Sequence, residues 1–336
     1  MKVDGTIALD PAHAAQSARA AEAAGYDGAW CPETNHDPFV SLTLASEHTE
    51  RLQLGTAIAV AFARNPMSLA TTANDLQLLS QGRLMLGLGS QIQPHIEKRF
   101  SMPWSHPAPR MREFIAAMRA IWGSWNDGER LAFRGDFYTH TLMTPFFNPG
   151  PNPHGPPKVY LAGVGPKMTE VAGEMSDGFL CHGFTTERYL NEVTIPALIR
   201  GRAKVGKTLD GFDVAGPFFV ITGTNDDEVK AADSMVRSQI AFYGSTPAYR
   251  AVLELHGWGE LQTELNSLSK QGRWSDMAEM IDDDIVDAFA VVAEPDRVAP
   301  ELLERFGGTV TRLSFYMPGT ADAAKWSGIV ATLQAA

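Results

Sequence analysis

The feature that most constrains this chain is an alternation, kept almost from end to end, of short β-rich runs with longer helical ones. Such an order is the mark of βα units and a parallel sheet. Strands are expected near Val3 to Ala8, Gly28 to Cys31, Leu52 to Val60, Arg83 to Gly89, Lys158 to Gly163, Gly178 to Cys181, Asp213 to Thr222 and Val310 to Tyr316. Eight such units closed on themselves form a (β/α)8 TIM barrel, an α/β fold. Length alone would suggest two domains, but barrels routinely use this much chain as one, so a single domain over residues 1–336 is expected.

The helix starts are punctuated in a repeated way. Asp10-Pro11, Asp37-Pro38 and Asn65-Pro66 each place a short side-chain oxygen at the N-cap and a proline at the first helical position. The oxygen accepts from an orphan N–H, and proline gives up an N–H that had no partner. In the third helix Leu69, Ala73, Leu76 and Leu79 are expected on one buried stripe.

Two stretches break the regular count. After the fourth strand an insertion at about 91–157 contains an amphipathic helix with Met111, Phe114, Ile115, Met118, Ile121 and Trp122 on one side. A loop rich in Pro, Gly and Asn follows from Thr144 to Pro157. After the seventh strand a second insertion, about 225–308, is helical by pattern and holds the turn-rich Tyr243-Gly244-Ser245-Thr246-Pro247. Insertions of this size in a barrel build substrate pockets, oligomer contacts or lids.

Composition narrows the partners. A net charge of -11 argues against nucleic acid or an anionic membrane, since both repel an acidic surface. Met1-Lys2-Val3-Asp4-Gly5 lacks the basic-then-apolar pattern of a secretory signal, and no apolar run reaches membrane-spanning length, so a cytoplasmic location is expected. The two cysteines, Cys31 and Cys181, form no C-x-x-C pair and read as small buried hydrophobes. The nine histidines are scattered singly with no H-x-H or H-E-x-x-H, so no metal site is expected. There is no G-x-S-x-G elbow for a serine nucleophile either.

Chemistry in a barrel is expected where strands end and βα loops begin. Glu33 and His36 follow the second strand, and together they form the most capable acid–base pair in the chain. The plain alternatives are a carboxylate tied to neighbouring N–H groups and a solvated imidazole beside an N-cap. Gly89 and Ser90 close the fourth strand; Gly87-Leu88-Gly89-Ser90-Gln91-Ile92 is a poor dinucleotide fingerprint, because Ile92 stands where a third glycine is needed. Gly163, Val164, Gly165, Pro166 and Lys167 lead from the fifth strand straight into a helix. Backbone N–H groups there, with the lysine, suit a phosphate-bearing cofactor; a tight βα turn that binds nothing is the alternative. His182 ends the sixth strand and is a candidate cofactor or substrate contact.

These residues resemble a known family. Leu54-Gly55-Thr56-Ala57-Ile58-Ala59 with Arg64-Asn65-Pro66, Gly82-Arg83-Leu84-Met85-Leu86-Gly87-Leu88-Gly89-Ser90, and Ala162-Gly163-Val164-Gly165-Pro166 followed by Ser176-Asp177-Gly178-Phe179 are similar to segments of the luciferase-like monooxygenase superfamily. Within it the chain is most similar to the deazaflavin (coenzyme F420)-dependent oxidoreductases, and the resemblance covers essentially the whole sequence. It implies a luciferase-like barrel with insertions after strands four and seven. It also implies a non-prolyl cis peptide at Ala57-Ile58, Glu33, Gly89 and Ser90 beside the cofactor ring, and Gly163 to Lys167 on its phosphate. A homodimer is expected from the resemblance alone.

The departures bear on the substrate. Where the family's sugar-phosphate dehydrogenases have a histidine, an acidic residue and a phosphate-binding lysine, this sequence has Thr34, Ile92 and Thr185. Glucose-6-phosphate oxidation is therefore not expected, and no proton-transfer residue carries across. The expectation is hydride transfer between C5 of coenzyme F420 and a small, apolar organic substrate, walled by residues such as Met102, Trp104, Phe146 and Phe147. The rival readings are an FMN-dependent monooxygenase on the same fold and a non-catalytic flavin- or deazaflavin-binding protein.

Overall fold

The computed structural model describes residues 1–316 and 326–336. Eight parallel strands form the barrel: β1 (Lys2–Thr6), β2 (Gly28–Cys31), β3 (Gln53–Thr56), β4 (Leu84–Gly89), β5 (Lys158–Ala162), β6 (Gly178–Leu180), β7 (Asp213–Ile221) and β8 (Arg312–Tyr316). Neighbours pair in chain order, and β8 closes the ring onto β1 with Lys2 opposite Arg312. Closure removes both sheet edges, so every strand finds backbone partners on two sides.

The helices between the strands begin where the proline signals stand. Asp10 caps α1 (Pro11–Ala23), Asp37 caps α2 (Pro38–Glu47) and Asn65 caps α3 (Pro66–Leu79), each accepting from the N–H two residues on at 2.8–2.9 Å. One expectation fails on α3. Leu79 is half exposed, and the inward place at the helix end belongs to Ser80, which is fully buried. The spacing from Leu69 through Ala73 and Leu76 continues to residue 80, eleven positions on, which restores the 3.6-residue period.

The third strand also differs from a continuous run. After Thr56 the chain leaves the ladder at Ala57 and Ile58, which are joined by a cis peptide bond, and rejoins it at Ala59–Val60 against Leu88 and Gly89 of β4.

Both insertions lie where expected. The first carries a π-helical turn (His95–Arg99), the long helix α4 (Pro107–Asn126) and a small antiparallel hairpin, Phe133–Arg134 with Thr139–His140. All six apolar residues predicted on one side of α4 are buried. The hairpin is tied to α4 by the Glu113 carboxylate, which accepts from the N–H groups of Asp136, Phe137 and Tyr138. Between them lie α5 (Pro166–Met175), which follows β5, and α6 (Ile195–Lys204), which follows β6. The second insertion begins with α7 (Asp226–Gly244) and continues through four shorter helices to Phe289. It then adds a strand that pattern alone did not reveal, Ala290–Val292, parallel to β7. Phe219 of β7 pairs with Ala290 on one edge and Tyr316 on the other, so the extra strand takes the edge that β6 uses lower down.

The lower end of the barrel is filled by a buried polar plug. Asp4 of β1 accepts from both Nε and Nη2 of Arg312 on β8, at 2.9 and 2.6 Å, and from the Trp30 indole at 2.9 Å. Arg312 donates its remaining arm to Gln53 of β3 at 2.7 Å. Arg312 and Gln53 are each the first residue of their strand, so the plug sits opposite the strand ends where chemistry is expected. Gly28 makes room for it: a Cβ there would lie 2.7 Å from the Arg312 guanidinium and 2.8 Å from the Asp4 carboxylate.

An ion pair without solvent costs most when only one partner remains. Arg312→Met is therefore expected to destabilise the fold by about 3–5 kcal/mol, and the double variant with Asp4→Asn by less than Arg312→Met alone. Urea denaturation checks this; equal losses in the single and double variants would contradict the coupling.

Candidate functional site

The upper rim collects the ends of the strands. Glu33 follows β2, Ala57 and Ile58 form the break after β3, Gly89 and Ser90 end β4, Gly163 to Lys167 follow β5, and His182 follows β6. One glycine here is forced by contact. A Cβ on Gly89 would lie 2.8 Å from the Ile58 side chain, so Ile58 rests directly on the β4 backbone. Ala57, Ile58 and Ser90 stay partly exposed beside it.

Glu33 and His36 are not a pair. Glu33 Oε2 accepts from the Val60 N–H at 2.8 Å and from Arg64 Nη1 at 2.6 Å, and Arg64 reaches on to Asp37 Oδ2 at 2.9 Å. The carboxylate thus pins the chain where it rejoins the ladder, and Arg64 braces the start of α3 against the β2 loop. His36 stands exposed, and no hydrogen bond joins it to Glu33.

The β4 loop crosses this rim on backbone that few side chains adopt. Gln91, Ser101 and His106 are all left-handed, with φ of 61, 54 and 40°. Such residues cost roughly 1–3 kcal/mol each, and persist only where the surroundings impose them. Arg99 in this segment donates to the Thr34 carbonyl and so ties the first insertion to the β2 loop.

The Gly163–Lys167 turn differs from the starts of α1, α2 and α3. Gly165 is the N-cap of α5 and offers no side-chain oxygen, in contrast to Asp10, Asp37 and Asn65. The first N–H groups of α5, at Lys167 and Met168, therefore carry no cap, and the dipole end stays open to an anion. Lys167 adds an exposed ammonium without an ion-pair partner among the described residues.

His182 lies at the centre of an aromatic cluster that sequence reasoning missed. Its Nδ1 accepts the Phe184 N–H at 3.0 Å and its Nε2 meets the Tyr249 hydroxyl at 3.2 Å. Its ring packs 4.6 Å from Tyr243 and 4.5 Å from Tyr249, and Tyr243 shares a hydrogen bond with Tyr316. Burial pushes the His182 imidazole down to about 4, so it is neutral in the physiological range. Tyr243 and Tyr249 bracket the turn at Gly244 to Pro247, where sequence signalled a turn and nothing more. Both cysteines are buried, and burial pushes each thiol up to about 12, which leaves neither as a nucleophile.

The expected apolar pocket wall is corrected. Trp104 packs edge-on against Phe62 at 5.6 Å, and Met102 is part of the core periphery. Phe146 and Phe147 are 88 and 69% exposed and face each other instead of a pocket. No helix among the described residues is long and apolar enough to cross a membrane.

Comparison with known proteins completes the picture. The sequence matches the luciferase-like monooxygenase family over residues 2–312. An uncharacterized protein of Mycobacterium tuberculosis is 56% identical over 313 residues, 93% of this chain and 92% of that protein. F420-dependent glucose-6-phosphate dehydrogenase 1 of Rhodococcus jostii is 26% identical over 318 residues, 89% of this chain and 86% of that protein. Among solved structures, coenzyme F420 dependent tetrahydromethanopterin reductase from Methanopyrus kandleri has the same fold, with a TM-score of 0.80 at 22% identity, covering 98% of this chain and 96% of that one.

If Glu33 is a brace and not a proton carrier, Glu33→Ala will cost about 1–3 kcal/mol of stability by leaving Arg64 and the Val60 N–H unpaired. The Val60 amide will lose protection against hydrogen exchange in the same variant. Unchanged stability with unchanged protection at Val60 would reject the assignment.

Proposed function

Because the chain belongs to the luciferase-like monooxygenase family, we propose that it is a coenzyme F420-dependent oxidoreductase, transferring hydride between C5 of the deazaflavin and a small organic substrate. The observation that carries this reading is the F420-dependent relative from Rhodococcus jostii, whose likeness runs over 89% of this chain.

The rim residues fit such a cofactor. Ile58, seated in the space that a side chain on Gly89 would need, and Ala57 and Ser90 beside it stay partly exposed and leave a surface for a flat ring to lie against. The uncapped start of α5 and the Lys167 ammonium suit a phosphate-bearing tail. When bound, the deazaflavin supplies the redox chemistry; the protein's work is binding, orientation and exclusion of water. Gly163, Val164, Gly165 and Pro166 would bring the N–H groups of Lys167 and Met168 to the phosphate. Glu33, through Val60 and Arg64, fixes the segment after the cis bond. His182, neutral and held by the Phe184 N–H, would line the site as a polar contact and not as a charge.

The substrate differs from that of the sugar-phosphate enzyme. Thr34, Ile92 and Thr185 supply neither the imidazole, the carboxylate nor the ammonium that such a substrate needs. Titration with coenzyme F420, followed by its fluorescence, tests the reading. Saturable binding is expected, weakened several-fold by Lys167→Ala and by tenfold or more in Gly89→Val, where the new side chain meets Ile58. Tight FMN binding with no saturable F420 binding would favour the monooxygenase alternative instead.

A cytoplasmic homodimer is part of the same proposal. Val40 and Leu44, one turn apart on α2, and Leu78 and Leu79 on α3 are exposed apolar residues, which support an interface. Light scattering of Leu44→Glu is expected to give a monomer from a dimeric wild type. A monomeric wild type would remove this part of the proposal.

A further inference from the structure

The aromatic cluster around His182 has a definite hydrogen-bond polarity. A backbone N–H can only donate, so the Phe184 N–H at 3.0 Å makes His182 Nδ1 an acceptor. The one proton of the neutral ring is then on Nε2, and it is directed at the Tyr249 oxygen 3.2 Å away. That oxygen thus accepts from the imidazole, and its own proton has no acceptor among the described residues. Tyr243 and Tyr316 present the same situation in another form. One of the two hydroxyls donates to the other, and the proton of the acceptor is left over.

All four side chains are partly exposed, and they come from three elements that meet at the mouth: the loop after β6, the second insertion and the end of β8. His182 also lines a water-sized pocket with Gly163 and Val164, so its ring lies close to the turn assigned to the cofactor tail. No lysine or arginine among the described residues hydrogen-bonds to these rings or stacks on them. A carboxylate or phosphate placed here would lose water with no opposite charge in exchange, whereas a neutral oxygen acceptor would be matched. Burial raises all three phenols, Tyr249 to about 12, so they remain donors through the neutral range.

We propose that Tyr249, oriented by His182 and flanked by the Tyr243–Tyr316 pair, is a specificity determinant that takes the carbonyl oxygen of an uncharged organic substrate. This deepens the oxidoreductase reading and rests on the barrel mouth being the substrate site. The probes are carbonyl-labelled cyclohexanone and acetophenone, with cyclohexanecarboxylate as the anionic control, each titrated into the full-length protein with and without coenzyme F420. A ketone is expected to bind saturably and more tightly than the carboxylate, with its carbonyl stretch moved to lower wavenumber in the infrared. Tyr249→Phe is expected to weaken ketone binding about five- to tenfold, return the stretch towards its value in an apolar solvent, and leave the F420 Kd within about twofold. Tyr316→Phe provides a second variant if Tyr249→Phe fails to fold. Absence of saturable binding for both ketones, a stretch unaltered by the substitution, or tighter binding of the carboxylate overturns the proposal. A shifted stretch without any F420 binding would sink the cofactor reading and leave this one standing.

Discussion

Closure of the parallel sheet between β8 and β1 is the constraint on which everything else rests. Once Lys2 lies opposite Arg312, none of the eight barrel strands is left with a free edge, and the interior must be filled from side chains alone. At the lower end the filling is polar: the Asp4–Arg312 pair, with Trp30 and Gln53 completing its hydrogen bonds. Such a plug is tolerable because each charged group keeps its partners. With one end sealed in this way, binding chemistry is confined to the other.

At that other end rigidity comes from few contacts. Glu33 binds both the backbone at Val60 and the guanidinium of Arg64, so a single carboxylate registers the β2 loop against the broken end of β3. Ile58 rests on Gly89, and Arg99 fastens the first insertion across the β2 loop. Apart from Lys167, the charged groups at this rim serve as braces, while the other surfaces left for ligands are backbone N–H groups, neutral hydroxyls and one neutral imidazole. That division suits an enzyme whose cofactor carries the reactive chemistry and whose protein must hold still around it.

Much of this was legible in the sequence, for reasons that are local. Strand order, the Asp10, Asp37 and Asn65 caps, and the buried side of α4 all follow from periodicity and short-range hydrogen bonding. The rim glycines stood out at the strand ends, whereas the break at Ala57-Ile58 was reached through resemblance, because nothing in the composition of that run distinguishes it from an uninterrupted strand. The pairing of Glu33 with His36 was misleading: three residues of separation put them in one loop, yet Arg64, thirty-one residues away, supplies the partner. Phe146 and Phe147 looked like pocket wall by type alone and stand in solvent. The tyrosine cluster was invisible, since Tyr243 and Tyr249 meet His182 only through the path of the second insertion, and Tyr316 joins them from the end of β8 through Tyr243.

The central claim is that the rim between the broken third strand and α5 is shaped for a flat ring with an anionic tail. A crystal structure of the protein soaked with coenzyme F420 tests it most directly. The account predicts electron density for the ring against Ile58 and Gly89, with the phosphate on the N–H groups of Lys167 and Met168. Well-ordered cofactor bound elsewhere, or a phosphate held away from the start of α5, would contradict it.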